Sequence, residues 1–148
     1  EKTDDDIIKK IESTPIEIGK FIDNYKFRFA LQAFMDLARS GNKYLADTEP
    51  WKLFKQEDTK MRTETILHIS IQIAATLAIL AEPFMPFTAK KLQEMLNMSS
   101  CDWHTAGSLD LIHSGHILND PKLLFSIIED DAIEHQIQKL KNSKNPNL

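Results

Sequence analysis

The feature that most constrains the fold of this chain is a run of apolar side chains spaced three and four residues apart. Small and apolar residues recur on one helical face between positions 30 and 45: Ala30, Ala33, Phe34, Leu37, Ala38, Gly41 and Leu45. A second run, Ile66 to Leu80, is apolar over a surface broad enough to be buried on most sides. Only four Gly and six Pro argue against a loop-rich all-β fold. The sequence therefore predicts an all-α bundle.

The predicted helices follow one another with short breaks. One helix is predicted up to about Tyr25, with a kink or a restart at Thr14-Pro15 left open, because Thr caps helices and Pro suits a first turn. The second helix carries the stripe described above. Three further helices are predicted over Glu57–Pro83, Thr88–Asn97 and Glu129–Leu140.

These elements predict how the chain is divided. Between Met98 and Pro121 the periodicity is lost although apolar residues continue, which indicates an ordered loop packed on the bundle. The run from Leu123 to Ile128 is apolar and rich in β-branched residues, as in an extended segment. The predicted divisions are a bundle at 1–97, the loop at 98–122, an extended return segment with a final helix at 123–141, and a flexible tail at 142–148.

Charge and composition exclude several classes of protein. The net charge of −4 argues against a general nucleic-acid binder, since phosphate contacts supply most of the affinity of such proteins. Polar residues interrupt the most apolar run, which indicates a core helix rather than a membrane span. A single Cys rules out an internal disulfide framework and fits a reducing cytoplasm.

A candidate binding site lies where the second helix ends, at Trp51. Asp47 or Thr48 can cap a new short helix, with Pro50 in its first turn, so the Trp would be held on a rigid corner. An exposed aromatic ring with an amide and cations nearby is typical of sites that bind unstacked RNA bases. Two other interpretations remain open: Trp51 is a core anchor, or it is the anchor of a protein–protein interface.

Catalytic and metal-binding patterns are weak. The sequence has no Gly-x-Ser-x-Gly elbow and no phosphate-binding Gly loop. The pairs Cys101/His104 and His113/His116 have ligand-like spacing, but one Cys beside loop histidines favours an ordinary surface loop. We therefore expect no metal site.

Several motifs are similar to those of a known family. They are Phe27-Arg28-Phe29-Ala30-Leu31, Gly41-Asn42-Lys43-Tyr44, Glu49-Pro50-Trp51-Lys52, Pro83-Phe84-Met85-Pro86-Phe87 and Leu123-Leu124-Phe125-Ser126-Ile127-Ile128. Together they resemble the C-terminal anticodon-binding helical domain of methionyl-tRNA synthetases. The similarity extends from about Ile18 to Leu140, and the combination of Asn-Lys-Tyr with Glu-Pro-Trp is its most specific part.

This resemblance implies a fold, a role and a set of site residues. The fold is the anticodon-binding bundle of class Ia synthetases. The parent enzyme attaches methionine to its tRNA in the cytoplasm, using ATP with Mg²⁺. Whether it holds structural Zn²⁺ outside this domain stays open. By the family pattern Trp51 stacks on a base of the CAU anticodon, Pro50 fixes the orientation of the Trp, and Asn42 supports the site. The cations that we add as phosphate contacts are Arg39, Lys43, Lys52 and Lys55.

Two departures from the family pattern matter. No Asn-x-x-x-Arg helix precedes Phe21, so we expect the first helix of the domain to lie upstream of Glu1. The signatures of class I catalysis and the family's Cys-rich metal knuckle are absent from the sequence. We therefore expect no aminoacylation by this chain alone, no cofactor of its own, and two partners: the anticodon loop of methionine tRNA and the catalytic domain of the same polypeptide. An anticodon-binding domain of another class I synthetase is the remaining alternative.

Overall fold

The computed structural model describes residues 1–99 and 102–143 of the chain. Within these residues the regular elements are helical and no strand occurs, so the all-α prediction is confirmed. The α-helices are α1 (Lys2–Asp23), α2 (Phe27–Thr48), α3 (Pro50–Leu53), α4 (Lys60–Leu80), α5 (Pro86–Met95) and α6 (Asp130–Ser143). Two 3-10 turns cover Glu57–Thr59 and Trp103–Thr105.

Helix α4 is the centre of the bundle and packs against α1, α2 and α5. It is long and apolar enough to cross a membrane by length and composition, yet more than half of that stretch is buried inside the protein. Its buried face meets apolar residues from α1 and α2. The largest fully buried apolar side chains are Ile11, Ile18, Leu37, Ile66, Ile79 and Leu80. The predicted core role of this helix is confirmed.

The small residues of α2 allow α4 to approach closely. A Cβ atom placed on Gly41 would lie 3.0 Å from Cγ2 of Ile73, closer than ordinary van der Waals contact. Ala30 is fully buried on the same stripe. The face predicted from the spacing of these residues is therefore the one that contacts α4.

The prediction of one helix is confirmed, and α1 passes through Pro15 without a restart. Pro15 has no N–H, so the carbonyl of Ile11 loses its helical partner. The Thr14 hydroxyl donates to the Lys10 carbonyl at 2.7 Å instead of capping a new helix. A Cβ atom on Gly107, whose φ is +90°, would lie 3.0 Å from the Ile11 oxygen, so the loop lies directly against the freed carbonyl.

Two helix boundaries also differ from prediction. The third predicted helix begins at Lys60 instead of Glu57, after the 3-10 turn. The Thr59 hydroxyl donates to the Leu53 carbonyl at 2.5 Å, which holds the turn against the preceding helix. The next helix begins at Pro86, two residues before the predicted Thr88, because the fixed φ of Pro suits the first helical position.

The loop that follows α5 is fastened to the bundle through its backbone. Gln72 is fully buried, and its side-chain oxygen accepts from the N–H groups of Leu111 and Ile112 at 2.9 and 3.2 Å. Its amide nitrogen donates to the Ile112 carbonyl at 2.7 Å. Further along, Asn119 donates from its side chain to the Glu94 carbonyl at 2.6 Å.

The last described part of the chain is exposed. Residues 123–128 have no regular secondary structure, and α6 has no buried residue. The final helix extends to Ser143, so the first two residues of the predicted flexible tail are helical. The other residues of that tail, 144–148, lie outside the described residues.

Candidate nucleic-acid interface

Trp51 lies on a sharp corner between α2 and α3. The corner is made by Glu49, which adopts the left-handed conformation with φ of 43° and ψ of 54°. Pro50 is buried and occupies the first position of α3, where its fixed φ and missing N–H suit the helix start. The Lys52 N–H donates to the Glu49 carbonyl at 2.9 Å. The backbone conformation at Trp51 is therefore fixed by its neighbours.

The corner is attached to the bundle on its inner side. Leu53 packs partly buried against the core. The Thr59 hydroxyl donates to the carbonyls of Leu53 and Gln56 and so joins α3 to the start of α4. Trp51 itself is 55% exposed, which contradicts the core-anchor interpretation. The ring is therefore accessible to a binding partner.

Three of the four predicted phosphate contacts are paired with acids. Their short distances are 2.8 Å for Arg39–Asp36, 2.9 Å for Lys43–Asp47 and 2.7 Å for Lys52–Glu49. Each pair joins exposed side chains within one helical turn, so its net contribution is about 0–1 kcal/mol and an incoming phosphate can replace the acid. Lys55 is exposed and forms no ion pair with any residue the structure describes.

The predicted residues are not all brought to one surface. Lys52 and Lys55 share the α3 region with Trp51. Lys43 lines a groove between α1 and α2, together with Lys10 on α1. Asn42 is exposed on α2, and within the described residues its side chain makes no hydrogen bond, so its amide can meet a ligand.

A charged cluster missed by sequence reasoning lies behind the corner. Asp4 on α1 is 5% exposed and accepts a hydrogen bond from the Tyr44 hydroxyl at 2.6 Å. The guanidinium of Arg62 on α4 donates two hydrogen bonds to the same carboxylate, one of them at 3.0 Å. The cluster joins three helices at the end of the bundle that carries Trp51.

The electrostatics of this cluster follow from these contacts. The hydrogen bonds from Arg62 hold the pKa of the Asp4 carboxyl well below its usual range, and the Tyr44 hydroxyl acts in the same direction against the effect of burial. Burial, and then the hydrogen bond to Asp4, raise the pKa of Tyr44 above its ordinary value. One signal was present in the sequence: Tyr44 follows Gly41 by three residues on the apolar stripe, where a buried hydroxyl needs a partner.

The second pair of metal-ligand candidates, His113 and His116, is engaged in other contacts. The His113 ring pairs with Asp110 at 2.6 Å, and the His116 ring hydrogen-bonds the Leu96 carbonyl at 2.8 Å. Among residues 1–99 and 102–143, no three His, Cys, Asp or Glu side chains are grouped as a metal site requires. Cys101 lies outside the described residues.

Comparison with known proteins identifies the family. A family model described as the anticodon binding domain of methionyl tRNA ligase matches residues 1–145. The chain belongs to this family. Relatives of this methionyl-tRNA ligase domain agree with the match. A methionine–tRNA ligase of Cytophaga hutchinsonii is 50% identical over 148 residues, which are 100% of this chain and 21% of that protein. One of Bacteroides fragilis is 50% identical over 144 residues, 97% of this chain and 21% of that protein.

The chain thus spans about a fifth of the length of these methionine–tRNA ligases. The fold is also similar to that of a solved structure, the apo form of Mycobacterium tuberculosis methionyl-tRNA synthetase. The TM-score is 0.77 at 21% identity, over 87% of this chain and 26% of that one. The predicted family and the predicted class of bundle are both confirmed.

Proposed function

We propose that this anticodon-binding domain recognises the CAU anticodon loop of methionine tRNA, as part of a cytoplasmic ligase that attaches methionine to that tRNA. The single observation that supports this most is the exposure of Trp51 on a rigid corner of a methionyl-tRNA ligase anticodon-binding domain. Methionine activation with ATP and Mg²⁺ would take place in the remaining four-fifths of a protein the size of the relatives.

In this proposal the anticodon is recognised without chemical catalysis by the domain. A base that is splayed out of the loop stacks on Trp51, which contributes roughly 1–3 kcal/mol. Pro50, buried at the start of α3, fixes the backbone that carries the ring. The free amide of Asn42 supplies hydrogen bonds that stacking lacks, and a wrong base would leave donors unpaired at a cost of about 1–3 kcal/mol.

The charges of the four predicted phosphate contacts fit a specific rather than a general RNA site. Because three of the four cations have acidic neighbours, RNA without a matching loop gains little from them. Lys55 is the cation most available to a phosphate, since it has no acid to displace among the described residues. The net charge of −4 likewise disfavours nonspecific binding of RNA.

The end of the chain supports a second partner, the catalytic part of the same polypeptide. Leu123, Phe125, Ile127 and Ile128 are between 65% and 95% exposed. Ile133, Ile137 and Leu140 form a half-exposed apolar stripe on α6. Exposed apolar side chains concentrated in one stretch of a chain usually mark an interface, whereas single scattered ones do not. We propose that residues 123–140 pack against the catalytic domain.

The experiment is carried out in the full-length ligase with Trp51→Ala. Methionine activation, measured by ATP–pyrophosphate exchange, should be unchanged. The rate of tRNA charging should fall by about one to two orders of magnitude because stacking is lost. Tyr25→Ala is the matched control, because Tyr25 is 83% exposed at the opposite end of α2, about 33 Å away at 1.5 Å per residue over 22 residues. Normal charging by Trp51→Ala would contradict the stacking role. A parallel fall in activation and melting temperature would make Trp51 a structural residue.

A further inference from the structure

The turn of α3 and the two residues that follow it present three kinds of surface at a spacing of three residues. Pro50 and Leu53 face the bundle, as their burial shows. Lys52 and Lys55 are both exposed; Lys52 forms an ion pair with Glu49, and Lys55 forms none with any described residue. The third pair consists of two exposed aromatic rings, those of Trp51 and Phe54.

The position of Phe54 is defined by the same turn that orients Trp51. The N–H of Phe54 donates to the Pro50 carbonyl at 2.9 Å, and its φ of −57° and ψ of −22° are helical. Side chains three residues apart on a helix are neighbours, with Cβ atoms about 5–6 Å apart. Phe54 therefore lies beside Trp51 on the outer surface of the corner.

Phe54 is more exposed than Trp51, 75% against 55%. Within the described residues its ring pairs with no other aromatic ring. The inner side of α3 is already occupied by Leu53, so Phe54 is not required to close the core. The structure thus leaves this ring open next to the proposed base-stacking residue.

We propose that Phe54 is a second base-stacking residue, which binds a nucleotide of the anticodon loop next to the one on Trp51. This inference rests on the proposed function. Neighbouring aromatic side chains that each stack one base are a common means of binding single-stranded RNA. The backbone between the two bases would pass the Lys52 and Lys55 side, where the cations can neutralise its phosphate.

Two observations favour RNA over a protein partner at this ring. The aromatic pair is continuous with the site already argued for the anticodon, on one helical turn. The adjacent exposed side carries two lysines that a phosphate backbone can contact: Lys55, which has no ion pair among the described residues, and Lys52, whose exposed pair with Glu49 a phosphate can replace. A protein contact would need apolar volume at this position, whereas base stacking needs an aromatic face, and this difference can be tested.

The test uses the full-length ligase with Phe54→Leu and Phe54→Tyr. Leu keeps apolar volume and removes the aromatic face, and Tyr keeps the face. Phe87→Leu is the matched control, because Phe87 is 84% exposed at the start of α5, away from the corner. For each variant we would measure kcat/KM for tRNA charging, methionine activation, and the Kd for an RNA hairpin that carries a CAU loop.

We expect Phe54→Leu to lower kcat/KM for tRNA and weaken hairpin binding by about tenfold, with activation unchanged. Phe54→Tyr and Phe87→Leu should stay close to the parent. The inference is overturned if Phe54→Leu behaves like the parent, if Phe54→Tyr falls equally, or if activation and melting temperature fall as well. Trp51→Ala in the same series separates the two proposals. If it lowers charging while Phe54→Leu does not, this inference fails alone; if neither variant lowers charging, the proposed function fails too.

Discussion

Replacing Asp4 by Ala tests whether the buried charged cluster stabilises the bundle. The substitution removes the acceptor of the Tyr44 hydroxyl, in a residue only 3% exposed. It also removes the main partner of Arg62, although Arg62 keeps a 3.1 Å contact with Glu1. Breaking one side of a buried ion pair costs about 3–5 kcal/mol, and an unpaired buried hydroxyl about 1–3 kcal/mol.

The Arg62 side chain is 22% exposed and keeps its contact with Glu1. The lower end of the range for a broken buried ion pair therefore applies, and we expect the free energy of unfolding to fall by about 3 kcal/mol. With an m-value of about 2 kcal/mol per molar urea, the midpoint of unfolding should fall by about 1.5 M. Equilibrium urea denaturation of the 148-residue chain, followed by far-UV circular dichroism, measures this shift. A loss below about 0.5 kcal/mol, the range of ordinary surface substitutions, would refute the argument.

The same carboxylate has a predicted pH signature. Since the folded-state pKa of Asp4 is depressed by Arg62, the folded protein binds the proton less readily than the unfolded chain. The stabilisation is therefore present above the unfolded pKa of about 3.9 and is lost as pH falls below it toward the folded value. The difference in unfolding free energy between the parent and Asp4→Asn should shrink across that window. A difference that does not change with pH would show that the charge of Asp4 is not the stabilising feature.

Two further substitutions test contacts that position the helices and the loop. Gly41→Val should destabilise the chain by about 1–3 kcal/mol, because the new methyl groups meet Ile73; urea denaturation checks this, and Ile73→Ala in the same chain should restore part of the loss. Gln72→Leu removes three hydrogen bonds to the loop backbone and should cost about 2–4 kcal/mol. Hydrogen exchange at the Leu111 and Ile112 amides should accelerate, and unchanged protection there would contradict the anchoring role of Gln72.

Local pattern predicted the helices well and their ends less well. The stripe on α2 was correct because each of its members depends only on the 3.6-residue period. The start of α4 was placed three residues too early because the Thr59 hydroxyl binds the carbonyl of Leu53, a contact that spacing does not show. The acids at Glu57 and Asp58 are typical of a helix start, and they begin a 3-10 turn instead.

The candidate site was predicted in part. The Pro-Trp corner was recognisable from residues next to one another, since Pro50 restricts its own backbone and that of its neighbour. The exposure of Trp51 could not be recognised from the sequence, because it depends on which side of α3 packs against the core. The exposure of Phe54 was missed because an apolar residue beside Leu53 is expected to join the core, whereas in the structure Phe54 is 75% exposed.

The sequence by itself determined the helical class, the family resemblance and the position of the corner, because these depend on nearest neighbours and on motifs a few residues long. Tertiary structure alone decided the contacts between distant residues. Tyr44 meets Asp4 across 40 positions, and Arg62 meets it across 58. The tertiary structure also decided that α1 continues through Pro15, because loop residue Gly107 packs against the freed Ile11 carbonyl. The physical reason is that a buried polar group must find a partner wherever packing brings one, and the spacing of residues along a helix does not specify which partner that is.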